Sequence, residues 1–306
     1  MKLLILALGI MLTGLLCQSQ NLPKVASGSI NRIEDFQSKF VHPRNIDIWL
    51  PEGYMQSKKY AVVYMHDGQM LFDSTTTWNK KEWGVDETFG SLINHGKIRE
   101  CIVVGIWNIP ELRFADYFPQ KAIPNIPEAT RNLILTKQLK SQPNADNYLK
   151  FIVQELKPYI DKMYTTYTNA ENTFIMGSSM GGLISLYALC EYPDIFGGAA
   201  CLSMHSPLAA PDLINDKTDE EVASKFRDYL DKNLPKANTK KIYFDYGSLT
   251  LDAFYKPYQL KIDSIIKLKG YDSAHWLTRE FPGADHSETS WKSRLDIPVQ
   301  FLLRNK

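Results

Sequence analysis

A five-residue segment near the middle of the chain has the pattern of an exposed serine nucleophile. Gly177-Ser178-Ser179-Met180-Gly181 follows an apolar stretch at 172–176 and precedes a stretch with helical spacing at 182–189. A sharp turn from strand to helix would hold Ser179 in a strained backbone conformation and lift its Oγ clear of the sheet edge. The two glycines leave room for that close approach. Such a serine attacks carbonyl carbons.

A serine hydroxyl needs a base within hydrogen-bond reach, and histidine is the usual one. Of the six histidines, only His275 and His286 follow both Ser179 and a strand predicted to begin at Ile242. His275 begins a further predicted strand, which favours a structural role. His286 lies in the loop after that strand, at the edge where open α/β sheets place their ligands. We therefore predict that His286 is the base.

The acid that orients this base has two candidates. Asp252 lies in the loop after the predicted strand 242–247, close to the start of the next helix. Asp245 lies inside that strand, where its carboxylate could face a neighbouring helix and serve only the structure. Both candidates fit the chain order serine, acid, histidine. We favour Asp252, and a dyad without a committed acid is the remaining alternative.

The oxyanion formed on attack needs backbone N–H donors. Met180 N–H is the expected first donor, because this residue follows the nucleophile. The second is predicted to be Gly68 or Gln69, in the turn after an apolar strand, and the sequence does not separate the two. His66 and Asp67 are expected to shape this turn. No third metal ligand is close to them in sequence, so neither a metal nor another cofactor is predicted.

The elements that must position these residues alternate along the chain. Apolar and alternating stretches predict strands at 30–40, 45–50, 60–65, 101–107, 172–176, 197–203, 242–247 and 275–281. Helical spacing marks 147–163 and 254–268. Strands alternating with helices indicate right-handed crossovers and a mostly parallel sheet, and the opening antiparallel strands fit one edge of it. The predicted fold class is therefore α/β, with helices flanking a central sheet.

Composition adds only broad limits. The chain has 306 residues, 44% of them hydrophobic, which is enough for one large domain over 20–306. Its 35 basic and 34 acidic residues are spread without long runs, which argues against nucleic acid as a partner. Residues 109–145 are polar, proline-bearing and weakly periodic. We predict that this segment is a lid-like insertion that covers the substrate.

Residues 1–19 are typical of a secretory signal peptide, with a basic start, an apolar run at 3–12 and smaller or polar residues after it. The run is too short for a permanent membrane span. We predict cleavage near residue 19 and a secreted or periplasmic protein without stable membrane insertion. Lipidation of Cys17 is the alternative, against which the bulky Leu16 argues. The three later cysteines have no close pair, so no disulfide is predicted.

At these residues the chain resembles the esterase branch of the α/β hydrolases, over nearly all of the mature sequence. That branch includes feruloyl and acetyl-xylan esterases, enterochelin esterases, S-formylglutathione hydrolases and mycolyltransferases. The motifs are Tyr64-Met65-His66-Asp67-Gly68-Gln69 with Leu71-Phe72-Asp73, Gly177-Ser178-Ser179-Met180-Gly181-Gly182, Tyr192-Pro193-Asp194-Ile195-Phe196-Gly197, and Gly283-Ala284-Asp285-His286-Ser287-Glu288 with Trp291. Together they are specific to the family and not to a substrate.

The resemblance implies an α/β-hydrolase fold, a nucleophile at Ser179, a base at His286 and an acid in the loop that holds Asp252. The oligomeric state and the two halves of the ester are not implied.

Further residues are candidates for binding the substrate. The segment 113–119 resembles a family segment near the substrate entrance, and Arg113 there could bind a carboxylate or phenolate. An ion pair between Arg113 and Asp116 is the alternative. Tyr117, in the same segment, and Trp291 are also predicted to contact the substrate. Trp78, Trp83, Trp107 and Trp291 are the tryptophans that could stack on a sugar or aryl ring, although most of them are expected in the core.

The predicted function is an exported serine ester hydrolase that acts through an acyl-enzyme. Its expected substrates are feruloyl or acetyl esters of carbohydrate, or siderophore esters, because export favours esters met outside the cytoplasm. One alternative is an acyltransferase that uses the same residues with a sugar hydroxyl in place of water. Another is a catalytically silent carbohydrate-binding module.

Overall fold

One mostly parallel sheet organises the chain. The structure, a computed structural model, describes residues 22–210, 213 and 216–305, so the predicted signal peptide and Cys17 lie outside the described residues. Within those ranges the sheet has eight strands: β1 (Ser29–Phe36), β2 (Arg44–Leu50), β3 (Ala61–His66), β4 (Cys101–Ile106), β5 (Thr173–Ser178), β6 (Gly198–Leu202), β7 (Lys241–Gly247) and β8 (Trp276–Phe281).

The strand order is β1-β2-β4-β3-β5-β6-β7-β8. β2 runs antiparallel to both of its neighbours, and every other adjacent pair from β4 to β8 is parallel. The antiparallel pairs lie at the N-terminal edge, as the sequence predicts. Because parallel strands end at the same side, the loops after β3, β5, β6, β7 and β8 meet along one edge of the sheet.

Helices cover both faces of the sheet. They are α1 (Val85–Asn94), α2 (Arg113–Tyr117), α3 (Glu128–Leu133), α4 (Ala145–Lys150), α5 (Lys157–Met163), α6 (Met180–Glu191), α7 (Asp216–Asn233), α8 (Lys256–Leu268), α9 (Glu288–Lys292) and α10 (Asp296–Leu303). A π-helical segment, Phe151–Leu156, joins α4 to α5, so the helix predicted at 147–163 is one helical rod. Among the described residues, no helix is long and apolar enough to span a bilayer.

The central strands are apolar along most of their length because both of their faces are covered. In β3, Val62 and Tyr64 pack into the layer that contains α4 to α8. Their neighbours Val63 and Met65 pack into the opposite layer, which contains α1 and α10. Successive side chains of the strand therefore pack into two separate hydrophobic layers, one on each face of the sheet.

The segment 109–145 is more regular than its weak periodicity predicts. It contains α2, α3 and a π-helical segment, Ile134–Leu139. Many of its apolar side chains, among them Phe118 and Ile134, are fully buried against the core. The structure describes the whole of this segment, and within it Pro110 and Arg113 line the cavity beside Ser179. Most of the segment is therefore a packed layer, and the substrate-covering role stays a prediction.

Candidate active site

Ser179 occupies a strained turn between β5 and α6. Its φ and ψ are +55° and −121°, values that a residue with a side chain adopts only when its surroundings hold it there. Ser179 N donates to Leu202 O at 3.0 Å, and Ser179 O accepts from Gly182 N at 3.1 Å. A Cβ at Gly177 would lie 2.8 Å from the carbonyl carbon of Gly181. The glycines therefore let strand and helix touch, as the pattern predicts.

His286 and Asp252 meet from adjacent loops. Asp252 lies in a 3₁₀ turn, Thr250–Phe254, after β7, and His286 follows β8. Asp252 Oδ1 lies 2.6 Å from His286 Nδ1, and the carboxylate is fully buried. His286 N also donates to Thr250 Oγ1 at 2.9 Å, which fixes one loop on the other.

The carboxylate of Asp252 is held in its ionised form. Burial alone would raise its pKa, but the hydrogen bond and charge of His286, with hydrogen bonds from Ser203 and Gly247, hold the pKa below its ordinary value. An ionised acid at Nδ1 selects the His286 tautomer whose Nε2 can accept a proton.

Asp245 has different partners. Its Oδ1 accepts from Arg294 Nη2 at 2.9 Å and from Ser203 N at 3.0 Å, and Tyr243 OH donates to its Oδ2 at 3.0 Å. Both members of the ion pair are almost fully buried. Burial raises the pKa of Asp245, and Arg294 offsets part of that rise. The structure thus places Asp252 beside His286 and Asp245 in a buried ion pair.

The other candidate histidine lies elsewhere. His275 Nδ1 is 2.7 Å from Asp272 Oδ1 at the surface, just before β8. This pair stabilises the turn just before β8. Neither residue lines the cavity beside Ser179.

Two residues that sequence reasoning missed lie against the serine. His205 Nε2 donates to Ala209 O at 2.9 Å, because a carbonyl can only accept, so His205 Nδ1 must accept from Tyr255 OH at 2.8 Å. Burial lowers the pKa of His205 to about 4, so its ring is neutral near pH 7. Burial raises the pKa of Tyr255 well above its ordinary value, and a hydrogen bond with Ser179 lowers it in part. His205 N also donates to Ser179 O at 3.1 Å, so both residues lie against Ser179.

Ser179 and His286 line one cavity of about 770 Å³. Trp291 also lines it and is almost fully buried, with its ring edge-on to His286 at 5.0 Å between centroids. Trp78 lies at the mouth and is 85% exposed. Its loop is anchored by the side chain of Asn79, which donates to Glu288 Oε2 at 2.9 Å.

The residues predicted to bind the oxyanion lie at the same edge. Met180 is the first residue of α6, so its N–H belongs to the first-turn amides that have no acceptor within the helix. Gln69 lines the cavity, and its Oε1 accepts from Asn108 N at 3.1 Å. Gly68 packs behind it, where a Cβ would lie 2.6 Å from the carbonyl carbon of Gly105.

Arg113 lines the cavity but has a different partner from the one predicted. Its Nε and Nη2 donate to Oδ1 and Oδ2 of Asp67 at 2.8 and 2.7 Å. Burial would raise the pKa of Asp67, but the charge and hydrogen bonds of Arg113 hold it below its ordinary value. The alternative pair with Asp116 is wrong, because Asp116 accepts from Arg44 Nη2 at 3.0 Å. An anionic substrate group would have to compete with Asp67 for Arg113.

Tyr117 is placed behind Arg113. It is fully buried and is not among the residues that line the cavity. Its ring packs 5.2 Å from those of His66 and Tyr148, and the Arg113 guanidinium lies 5.2 Å from its centre. Its position supports Arg113 and offers no direct contact with a substrate in the cavity. Among the described residues, no group of three histidine, cysteine, aspartate or glutamate side chains could hold a metal ion.

The eight-stranded, mostly parallel sheet with helices on both faces defines the fold class as α/β. Residues 38–301 match the family described as "Putative esterase", and the chain belongs to that family. The family resemblance and the fold predicted from the sequence are both confirmed.

One curated relative matches about half of the chain. The chain is 26% identical over 161 residues to the uncharacterized protein YbbA of Bacillus subtilis, a match that covers 52% of this chain and 56% of YbbA. The chain thus spans just over half the length of that relative.

Two solved structures share the fold. The ferulic acid esterase AmCE1/Fae1A of Anaeromyces mucronatus, in complex with ferulic acid, has a TM-score of 0.60 and 20% identity, covering 90% of this chain and 91% of that one. The enterobactin esterase FES of Shigella flexneri has a TM-score of 0.63 and 15% identity, covering 92% and 60%.

Proposed function

We propose that this protein is an ester hydrolase that works through Ser179 as nucleophile, His286 as base and Asp252 as the orienting acid. One observation carries the proposal: the turn after β5 and the loops after β7 and β8 bring a strained serine and a carboxylate-bound histidine to one cavity. This is the combination that acyl transfer through a covalent intermediate requires.

The steps follow from the hydrogen bonds. Because Asp252 accepts from His286 Nδ1, Nε2 is free to take the Ser179 hydroxyl proton as Oγ attacks the ester carbonyl. The N–H of Met180 and that of Gln69 or Gly68 would stabilise the oxyanion. His286 Nε2–H then protonates the leaving alcohol, which yields the acyl-enzyme. Water then attacks the acyl-enzyme, and His286 Nε2 takes its proton. His286 returns this proton to Ser179 Oγ as the acid leaves.

The proposed substrates are esters met outside the cytoplasm, namely feruloyl or acetyl esters of carbohydrate or siderophore esters. The signal-peptide pattern at 1–19 supports export. The ferulic acid in the A. mucronatus structure and the benzoyl-glycine ligand named for the S. flexneri enzyme support an aryl acyl group. A cavity of about 770 Å³ can accept a group of that size.

A substrate panel tests this proposal. Purified protein is assayed with p-nitrophenyl acetate, methyl ferulate, acetylated xylan and a catecholate siderophore ester, each with and without added sugar acceptors. Hydrolysis of one natural ester at least about tenfold faster, in kcat/KM, than of the others would name the substrate. Products that carry the acyl group on the added sugar would instead identify an acyltransferase. Inert protein on every ester would contradict both.

Trp78 provides a sharper test of the carbohydrate. An exposed indole at the cavity mouth can stack on a sugar ring of the leaving group. We expect Trp78→Ala to raise KM about three- to tenfold for a feruloylated oligosaccharide, the effect of losing about 0.5–1.5 kcal/mol of stacking. KM for p-nitrophenyl acetate should stay within about twofold.

Leu268→Ala is the matched control, because Leu268 is 87% exposed at the end of α8 and does not line the cavity. Equal effects of Trp78→Ala on both substrates would remove the sugar-stacking role.

A further inference from the structure

We propose that Ser203 is a positioning residue for the pair formed by Asp252 and His286: its hydroxyl proton is committed to Asp252 and keeps that carboxylate ionised and turned towards His286. The inference rests on the proposed function, since it assigns a role to a residue that serves the same site. Ser203 is not a predicted site residue, and its side chain does not line the cavity.

Ser203 lies directly after β6 at the edge of the sheet where the site is built. It is fully buried, and its φ is +40°, which is unfavourable for a residue with a side chain. Its backbone N–H donates to Asp245 Oδ1 at 3.0 Å. The buried ion pair of Asp245 therefore holds Ser203 in this conformation.

The hydrogen bonds of the Ser203 hydroxyl leave only one place for its proton. A serine hydroxyl has one proton to donate and two lone pairs that accept. Trp291 Nε1 at 3.0 Å and Arg294 Nη2 at 2.9 Å lie against Oγ, and both groups can only donate. They fill the two lone pairs. The proton must then point to the remaining neighbour, Asp252 Oδ2, at 2.6 Å.

This arrangement leaves no position for a proton on Asp252 Oδ2. Gly247 N also donates to that oxygen, at 2.5 Å, so both of its neighbours offer protons. A proton on Oδ2 would force the Ser203 hydroxyl to turn round and displace Trp291 or Arg294. Oδ2 therefore carries no proton, and the carboxylate, whose pKa lies below its ordinary value, presents Oδ1 to His286 Nδ1 at 2.6 Å. This selects the tautomer whose Nε2 can accept a proton.

Other charged and titratable groups also face the pair. Tyr255, next to the start of α8, packs against the His286 ring, and His205 lies behind it. Burial lowers the pKa of His205 to about 4, so it carries no charge near pH 7. Beyond Ser203, the charges of Arg294 and Asp245 oppose each other at 2.9 Å. Arg113, at the cavity wall, is neutralised by Asp67. A substitution of Ser203 therefore removes one hydrogen bond to Asp252 and leaves these other charges in place.

The test compares Ser203→Ala with Ser203→Gly. Both remove the hydroxyl, and glycine suits the positive φ, so it separates loss of the hydroxyl from backbone strain. A hydrogen bond to a charged group is worth enough to lower kcat by about 10- to 100-fold. We expect that loss in both variants, with KM within about threefold of wild type. The acid limb of the kcat/KM profile should move up by about one pH unit, because a carboxylate with one donor fewer takes up a proton at higher pH.

Ser185→Ala is the matched control. Ser185 is also fully buried, and its Oγ donates to Gly181 O at 2.7 Å within α6. This variant should lose stability and keep the wild-type acid limb. Wild-type kcat and acid limb in Ser203→Gly would overturn the inference, as would a loss of kcat with an unmoved limb. Activity that survives Ser179→Ala would instead overturn the proposed function, so the two failures are distinguishable.

Discussion

Ser179→Ala is expected to lower kcat for ester hydrolysis by about 10⁴-fold or more, because no other hydroxyl occupies the strained turn between β5 and α6. KM should change little, since binding contacts remain. The measurement is steady-state kinetics on the best ester of the panel, with circular dichroism to confirm that the variant is folded. Residual turnover would come from binding and the oxyanion donors alone.

The neighbouring serine provides the control. Ser178 is the last residue of β5, where it pairs with Leu202 of β6, and it is buried although it also lines the cavity. Ser178→Ala should therefore retain at least about a tenth of the wild-type kcat. A larger loss of kcat in Ser178→Ala than in Ser179→Ala would mean that Ser178, and not Ser179, is the nucleophile.

Asp252→Asn is expected to lower kcat by about 10³- to 10⁴-fold while the fold survives, because an amide can no longer fix the His286 tautomer or stabilise its charged form. Asp245→Asn should behave in the opposite way. It leaves Arg294 buried without its charge partner, which costs about 3–5 kcal/mol of folding free energy, while activity per folded molecule falls far less. Parallel kinetics and urea unfolding of the two variants measure both effects. A larger loss of kcat in Asp245→Asn would overturn the assignment of the acid.

The same pair predicts a difference in how stability depends on pH. The pKa of Asp252 is lowered on folding, so its ionised form stabilises the native state above the ordinary value near 3.8. That contribution is lost as the pH falls through the lower pKa of the folded state. Below about pH 4, the free energy of unfolding of Asp252→Asn should therefore fall less steeply with decreasing pH than that of wild type. Unfolding free energies across this range provide the check.

Local signals were sufficient for much of this site. The five residues around Ser179 predict a strand–turn–helix because glycine spacing and apolar runs are properties of neighbouring residues. The position of His286 follows from counting strands, since loops at the carboxyl edge of a parallel sheet converge. The sequence favours Asp252 over Asp245 because Asp252 lies in a loop and Asp245 lies inside a strand.

Contacts between distant residues were not predictable in the same way. The partner of Arg113 is Asp67, 46 residues away, and sequence reasoning considered only nearby Asp116. Burial of Tyr117 depends on packing against Tyr148 from another helix. The role proposed for Ser203 depends on Asp252, Trp291, Arg294 and the Gly247 N–H, all distant from Ser203 in sequence, and no spacing in the sequence encodes that set.

One omission had a readable signal. The helix α7 was not predicted because charged residues dominate its sequence. Its buried residues Val222, Phe226, Tyr229 and Leu230 nevertheless repeat at helical intervals. These residues form an apolar stripe that predicts an amphipathic helix, even though most of the residues around them are charged.

The most direct measurement of the central claim is covalent labelling of the nucleophile. Native protein is treated with a fluorophosphonate, which reacts with an activated serine, and the intact mass and the labelled peptide are determined by mass spectrometry. We predict one adduct per chain, on Ser179, with none on Ser179→Ala and much slower labelling of Asp252→Asn. An unlabelled wild-type chain that is folded, or an adduct on another residue, would contradict the account.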